Sequence, residues 1–188
     1  TQLASIGKAA FNGCTVLQSV ILADTVVTIG NSAFAKCAGI KVLDLGEGVK
    51  SIGDYAFQNC TGLTEVVIPD SFQSVDYAAT YSPFQGCTSV RRLSVGCSNG
   101  EIHPYIVRTD SKCLEKVVIR GSVKTIDEYC FYSSGAITGT NTRLVLEEGV
   151  QVIESNAFRD CTGIVEVVLP GTLTTIGTCA FYLRKVWI

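Results

Sequence analysis

The chain has 188 residues, 47% of them hydrophobic and 17% charged, with 15 basic against 17 acidic side chains and a net charge of −2. So even a balance argues against nucleic acid or an anionic membrane surface as the main partner, and no stretch reaches the roughly 18 apolar residues of a membrane-spanning helix. No P-loop or dinucleotide glycine motif occurs, and with one histidine, His103, and no C-x-x-C pair a zinc site is not expected, so the chain reads as free of metal and cofactor.

From Leu3 onward the sequence repeats itself. The clearest copies, Leu17 to Gly39 and Ile40 to Gly62, are each 23 residues long, and seven of the eight phenylalanines (Phe11, Phe34, Phe57, Phe84, Phe131, Phe158 and Phe181) fall at one repeat position. Longer or shorter units follow from Leu63, Val90, Leu114 and Ile164, another of 23 residues runs from Asn141 to Gly163, and a last fragment begins at Leu183. A period of this size marks a solenoid, whose units bury their apolar faces against one another. Such scaffolds usually bind and rarely catalyse.

Each unit opens with apolar residues at every second position, the spacing of a strand with one buried face. The pairs Val20/Leu22, Leu43/Leu45, Val66/Ile68, Leu93/Val95, Val117/Ile119, Leu144/Leu146, Val167/Leu169 and Val186/Ile188 are expected to stack as one eight-stranded parallel sheet, with strands about 4.8 Å apart. Pro69, Pro170, Gly46 and Gly96 then end the strands. The spacing widens next to V-x-x-I-G and A-F-x-x-C, which predicts a short helix or 3₁₀ turn before the return. Gly30, Gly53 and Gly177 mark a sharp turn or a close approach to the adjacent coil. Extra residues in the stretches around Tyr77 and Tyr81 and around Ile137 read as exposed loops. The Val90 to Cys113 unit is degenerate, yet counting from Val95 places Ile102 on the repeated isoleucine and Val107 on the repeated phenylalanine.

Five of the nine cysteines, Cys14, Cys37, Cys60, Cys87 and Cys161, share one repeat position and read as small buried residues rather than disulfide partners. Cys97 and Cys113 lie off that ladder, and a bond between them would close a loop of roughly 15 residues; bonded and reduced forms are both open. Cys97, His103 and Asp110 include the residue types of a nucleophile, base and orienting acid, but nothing in the spacing brings them together, and no catalytic residue is assigned. The sequon Asn59-Cys60-Thr61 has a central cysteine expected to be buried.

The consensus L-x-x-V-x-I-P-x-x-V-x-x-I-G-x-x-A-F-x-x-C resembles the BspA-like, or Treponema-type, class of leucine-rich repeats over essentially the whole chain. It is best kept at Ile6 to Cys14, Ile29 to Cys37, Ile52 to Cys60 and, without the glycine, Ile153 to Cys161. The resemblance implies a right-handed leucine-rich-repeat solenoid of about eight coils, with a parallel sheet on the concave face and short helical or 3₁₀ turns opposite. It also implies a non-catalytic, adhesin-like role at the cell surface or after secretion, holding a protein or glycan such as host matrix or another cell's surface. An intracellular protein-interaction scaffold and a carbohydrate-active solenoid enzyme are the alternatives; the second would need several clustered carboxylates.

Two outward-facing columns of the expected sheet are the candidate binding face. One reads Ser19, Val42, Glu65, Arg92, Lys116, Arg143, Glu166, Lys185, and its three bases, with Arg91 beside them, form a basic patch. The patch either is neutralised by Glu65, Glu115 and Glu166 or receives an acidic peptide or sulfated glycan. The other reads Ile21, Asp44, Val67, Ser94, Val118, Val145, Val168, Trp187. Its apolar run is either an interaction strip or the ordinary preference of β-branched residues for strands. The binding residues expected are Arg91, Arg92, Lys116, Arg143, Val67, Val118, Val145, Val168 and Trp187. Residues 1–188 are expected to form a single domain cut from a longer chain, since the sequence lacks methionine and a terminal cap, and the strand 183–188 could pair end to end with a second copy.

Overall fold

The structure is a computed structural model and describes residues 2–73, 81–132, 137 and 141–183. Alternating apolar residues make the first strand of each coil: β2 (Ser19–Ile21), β4 (Val42–Asp44), β6 (Glu65–Ile68), β7 (Arg92–Val95), β9 (Lys116–Ile119), β11 (Thr142–Leu146) and β13 (Ile164–Val168). All pairings are parallel. Strands β6, β7, β9, β11 and β13 form one continuous sheet, and β2 and β4 a separate pair. The expected single eight-stranded sheet is therefore divided. One cause is local: the Asp44 carboxylate accepts a hydrogen bond from the Gly46 amide at 3.0 Å, an Asx turn that ends β4 early. The eighth strand and Trp187 lie outside the described residues.

A second parallel ladder was not foreseen. The V-x-x-I stretch contributes two-residue strands: β1 (Ser5–Ile6), β3 (Thr28–Ile29) and β5 (Ser51–Ile52) in one group, and β8 (Glu101–Ile102), β10 (Thr125–Ile126), β12 (Val152–Ile153) and β14 (Thr175–Ile176) in another. The register Ile102↔Ile126 confirms the alignment of the degenerate coil.

The A-F-x-x-C stretch, expected as helix or 3₁₀ turn, is a string of β-turns. The amides of Ala10, Asn12 and Cys14 bond carbonyls three residues back in their own coil, whereas those of Ala9, Phe11 and Gly13 bond the Asn31, Ala33 and Ala35 carbonyls of the next coil. Alternate amides thus serve the turn and the stack, a division no helix permits. The geometry needs left-handed residues, found at Ser32, Lys36, Tyr55, Asn59, Tyr129, Asn156 and Asp160 as well as Gly13 and Gly86. The one helix among the described residues, α1 (Pro104–Val107), is a single turn in the degenerate coil.

Between the ladders and the turns runs a continuous core. Phenyl rings stack in two files: Phe11, Phe34, Phe57 and Phe84 with centroids 5.0 to 5.3 Å apart, and Phe131, Phe158 and Phe181 with centroids 4.8 and 5.1 Å apart. Buried Val107 holds the phenylalanine position between the files, as the sequence predicts. Gly30, Gly53 and Gly177 are close-approach glycines: a Cβ on Gly30 would lie 2.7 Å from the Lys8 amide nitrogen. Ile137, expected in an exposed loop, is buried in the core, and its carbonyl accepts from the Gly163 amide at 2.6 Å. Tyr77 lies outside the described residues.

Candidate functional site

The five-stranded sheet brings the two candidate columns into register. Glu65 pairs with Arg92, Arg92 with Lys116, Lys116 with Arg143, and Arg143 with Glu166 across successive strands. The adjacent column runs Val67, Ser94, Val118, Val145, Val168 in the same order. Period two fixes this: Val66, Leu93, Val117 and Leu144 point inward and are buried, so their neighbours must point out. The charged column is exposed throughout, whereas Val118, Val145 and Val168 are only half-buried and Val67 is 37% exposed. The apolar strip is thus shallower than the alternation implies, because the neighbouring outward side chains shade it.

Electrostatics divide the basic patch. The Arg91 guanidinium meets the Glu115 carboxylate at 2.5 Å, a contact that raises its already high pKa further, and Arg143 Nε meets Glu166 Oε1 at 3.1 Å. For Arg92 and Lys116, no carboxylate oxygen lies within 4 Å among the described residues. Both are exposed, and together with Glu65, Val67, Ser94 and Val118 they line a groove across the sheet. Beyond the apolar column Arg120 holds Asp70 at 2.5 Å, and Ser122 donates to the same carboxylate.

Cys97, His103 and Asp110 are not assembled. The Cys97 thiol donates to the Asn99 side-chain oxygen and the Glu101 carbonyl, the Asp110 carboxylate accepts from the Gly86 amide at 2.7 Å, and His103 Nδ1 lies in close contact with the Asp127 carboxylate. Burial pushes the Asp127 carboxyl above the usual range, with His103 opposing the shift. Cys97 and Cys113 are both thiols; Cys113 lies against Ser111 and the Val90 carbonyl. Among the described residues no group of three or more histidine, cysteine or carboxylate side chains is placed to hold a metal ion.

Sequence reasoning missed an aromatic surface on the turn side. Tyr55 stacks on Tyr81 at 4.6 Å, Tyr129 meets Tyr132 edge-on, and the Arg159 guanidinium lies over the rings of Tyr132 and Tyr182. The signal was there: Tyr55 and Tyr129 occupy the same place in their units, three residues after the repeated isoleucine.

The BspA type leucine rich repeat region, in six copies, matches residues 1–109 and 138–186. Among solved structures, a leucine rich repeat protein of T. pallidum superposes with a TM-score of 0.61 at 25% identity, over 86% of this chain and 71% of that one. The pneumococcal vaccine antigen PcpA is similar over 97% of this chain, which spans 46% of PcpA, at 23% identity and a TM-score of 0.46. A leucine rich cell surface protein from Faecalibacterium prausnitzii aligns over 95% of this chain and 68% of its own at 18% identity and a TM-score of 0.32. No curated protein sequence matches the chain.

Proposed function

The chain belongs to the BspA-type leucine-rich-repeat family, and from that premise we propose that it is a non-catalytic binding module of a cell-surface or secreted adhesin-like protein, holding a protein or glycan partner on its concave sheet. The observation that carries this reading is the pair Arg92 and Lys116. Two cations lie on adjacent strands about 4.8 Å apart, neither within 4 Å of a carboxylate oxygen among the described residues, in a groove whose acids are Glu65 and Glu147 and whose outward neighbours are Ser94 and Val118. Exposed like charges held at that separation are satisfied by an anionic partner. The location follows the family, whose members are typically surface-exposed or secreted.

The reading is tested by binding the purified chain to matrix proteins and sulfated glycans at low and raised salt, beside a variant carrying Arg92→Ala, Lys116→Ala and Arg143→Ala. A partner on the sheet gives salt-sensitive binding that falls at least tenfold in the variant. Equal binding by both proteins, or none by either, removes the concave sheet as the site.

A further inference from the structure

We propose that the concave sheet receives an amphipathic helix lying across its strands, with an acidic row on Arg92, Lys116 and Arg143 and an adjacent apolar row over Ser94, Val118 and Val145. The inference rests on the binding role proposed above and specifies its ligand.

Three features select this occupant. The first is repeat length. From Arg92 to Arg143 the sheet advances two strand spacings, about 9.6 Å. Two helical turns advance about 10.8 Å, a mismatch near 1.2 Å that flexible arginine and lysine side chains absorb. An extended peptide brings side chains back to one face about every 6.7 Å, so two repeats overshoot by about 3.8 Å, most of a strand spacing. The second is the number of rows. The sheet presents a cationic and an apolar column side by side, one strand repeat apart. An extended peptide turns alternate side chains away and offers only one row, whereas a helix offers two: acids at i, i+4 and i+7 with apolar residues at i+1, i+5 and i+8.

The third is the acidic bracket. Glu65 and Glu166 close the cation row at its two ends, and Glu166 already pairs with Arg143, a contact the ligand's third acid would displace. A sulfated polysaccharide, whose charge repeats along its length, would run past three cations onto a carboxylate on each side, and it has nothing to place on the valines. A ligand with three acids over two turns stops where the cations stop. Charge complementarity thus selects an acidic ligand, and the bracketing glutamates disfavour a long one.

The test is fluorescence anisotropy of the purified chain with three labelled probes: a 15-residue peptide with glutamates at i, i+4 and i+7 and leucines at i+1, i+5 and i+8, a scramble of the same composition, and a heparin oligosaccharide. The patterned peptide is expected to bind at least tenfold more tightly than either other probe. It should lose at least tenfold in an Arg92→Ala, Lys116→Ala variant whose thermal melt confirms the fold. Glu166→Gln is expected to strengthen heparin binding and leave the peptide's preference for the wild-type cation row intact. Equal affinity for the scramble, or tighter binding of heparin to the wild type, overturns the helix. Heparin binding that disappears in the double variant then leaves the concave-sheet reading standing, whereas no binding by any probe or by the matrix and glycan panel removes both.

Discussion

At Cys37, Cys60, Cys87 and Cys161 each buried thiol donates to a phenylalanine carbonyl of the preceding coil, Phe11, Phe34, Phe57 and Phe131 respectively, at 3.0 to 3.2 Å. At Phe11, Phe34 and Phe57 that carbonyl already accepts the amide of the cysteine in its own coil, Cys14, Cys37 and Cys60 respectively. The thiol therefore fills a second lone pair that would otherwise be buried unused. Loss of solvent pushes Cys60 up to about 12 and raises Cys87 and Cys130 as well. The consequence is a pH dependence with a definite sign. Below about pH 9 the thiols are protonated folded or unfolded, and their contribution is fully present. Above it the unfolded chain loses protons that the folded chain keeps, so stability falls as pH rises toward the folded value, by about 1.4 kcal/mol per pH unit per thiol. Thermal melts from pH 7 to 11 should be level to about pH 8.5 and then decline, less steeply in Cys60→Ala. A decline of the same slope in that variant would remove the thiol from the explanation. Cys14 and Cys179 are exposed and should react first with a thiol reagent in the native state.

The elements differ in how far the sequence discloses them. The long-strand columns were legible, down to the order Glu65, Arg92, Lys116, Arg143, Glu166, because period two leaves one choice of face and parallel stacking leaves one register. The second ladder was not, since two residues such as Thr28 and Ile29 are too few to show a period. The turns were misread because successive three-residue turns space apolar side chains much as a helix does. What distinguishes them is the backbone: Lys36 and Asn59 have φ of 63° and 58°, at the position where Gly13 and Gly86 stand in other coils. In the candidate columns the order of the residues was legible, and Glu115 and Glu166 were among the three partners offered for the bases; which base each meets was not, because that depends on side-chain reach, as with Glu115 to Arg91. The turn geometry yields a pair of opposite predictions. Gly86→Ala places a side chain at φ +76° with its Cβ 2.0 Å from the Asn59 side-chain oxygen, and should cost about 1–2 kcal/mol or more. Lys36→Gly relieves a left-handed non-glycine and should be neutral or stabilising by up to about 1 kcal/mol. Urea midpoints of the two variants check both, and a stabilising Gly86→Ala would contradict the turn assignment.

Across the whole molecule, coils contact mainly their neighbours, so stability is a chain of nearest-neighbour interfaces and the weakest interface sets how cooperatively the two sides unfold. The phenylalanine stack is interrupted at the degenerate coil, which makes it the place to test for that interface. Val107 replaces the phenylalanine that would join the file ending at Phe84 to the one beginning at Phe131, and Asp110 replaces the buried thiol with a carboxylate on the Gly86 amide. Ile102 is one of the coil's core residues, with Leu93, Val95, Ile106 and Val107, and is fully buried and paired in register with Ile126. Ile102→Ala removes about 2–5 kcal/mol at this join, whereas Phe57→Ala removes about 3–5 kcal/mol inside an unbroken stack. Equal losses should have different outcomes. Phe57→Ala is expected to lower the urea midpoint in a single transition of unchanged slope. Ile102→Ala is expected to separate the two halves, giving two resolved steps or one broadened transition with a reduced slope. If Ile102→Ala unfolds in one transition as steep as the wild type, the two phenylalanine files are coupled through the ladders alone, and the break at Val107 has no mechanical consequence.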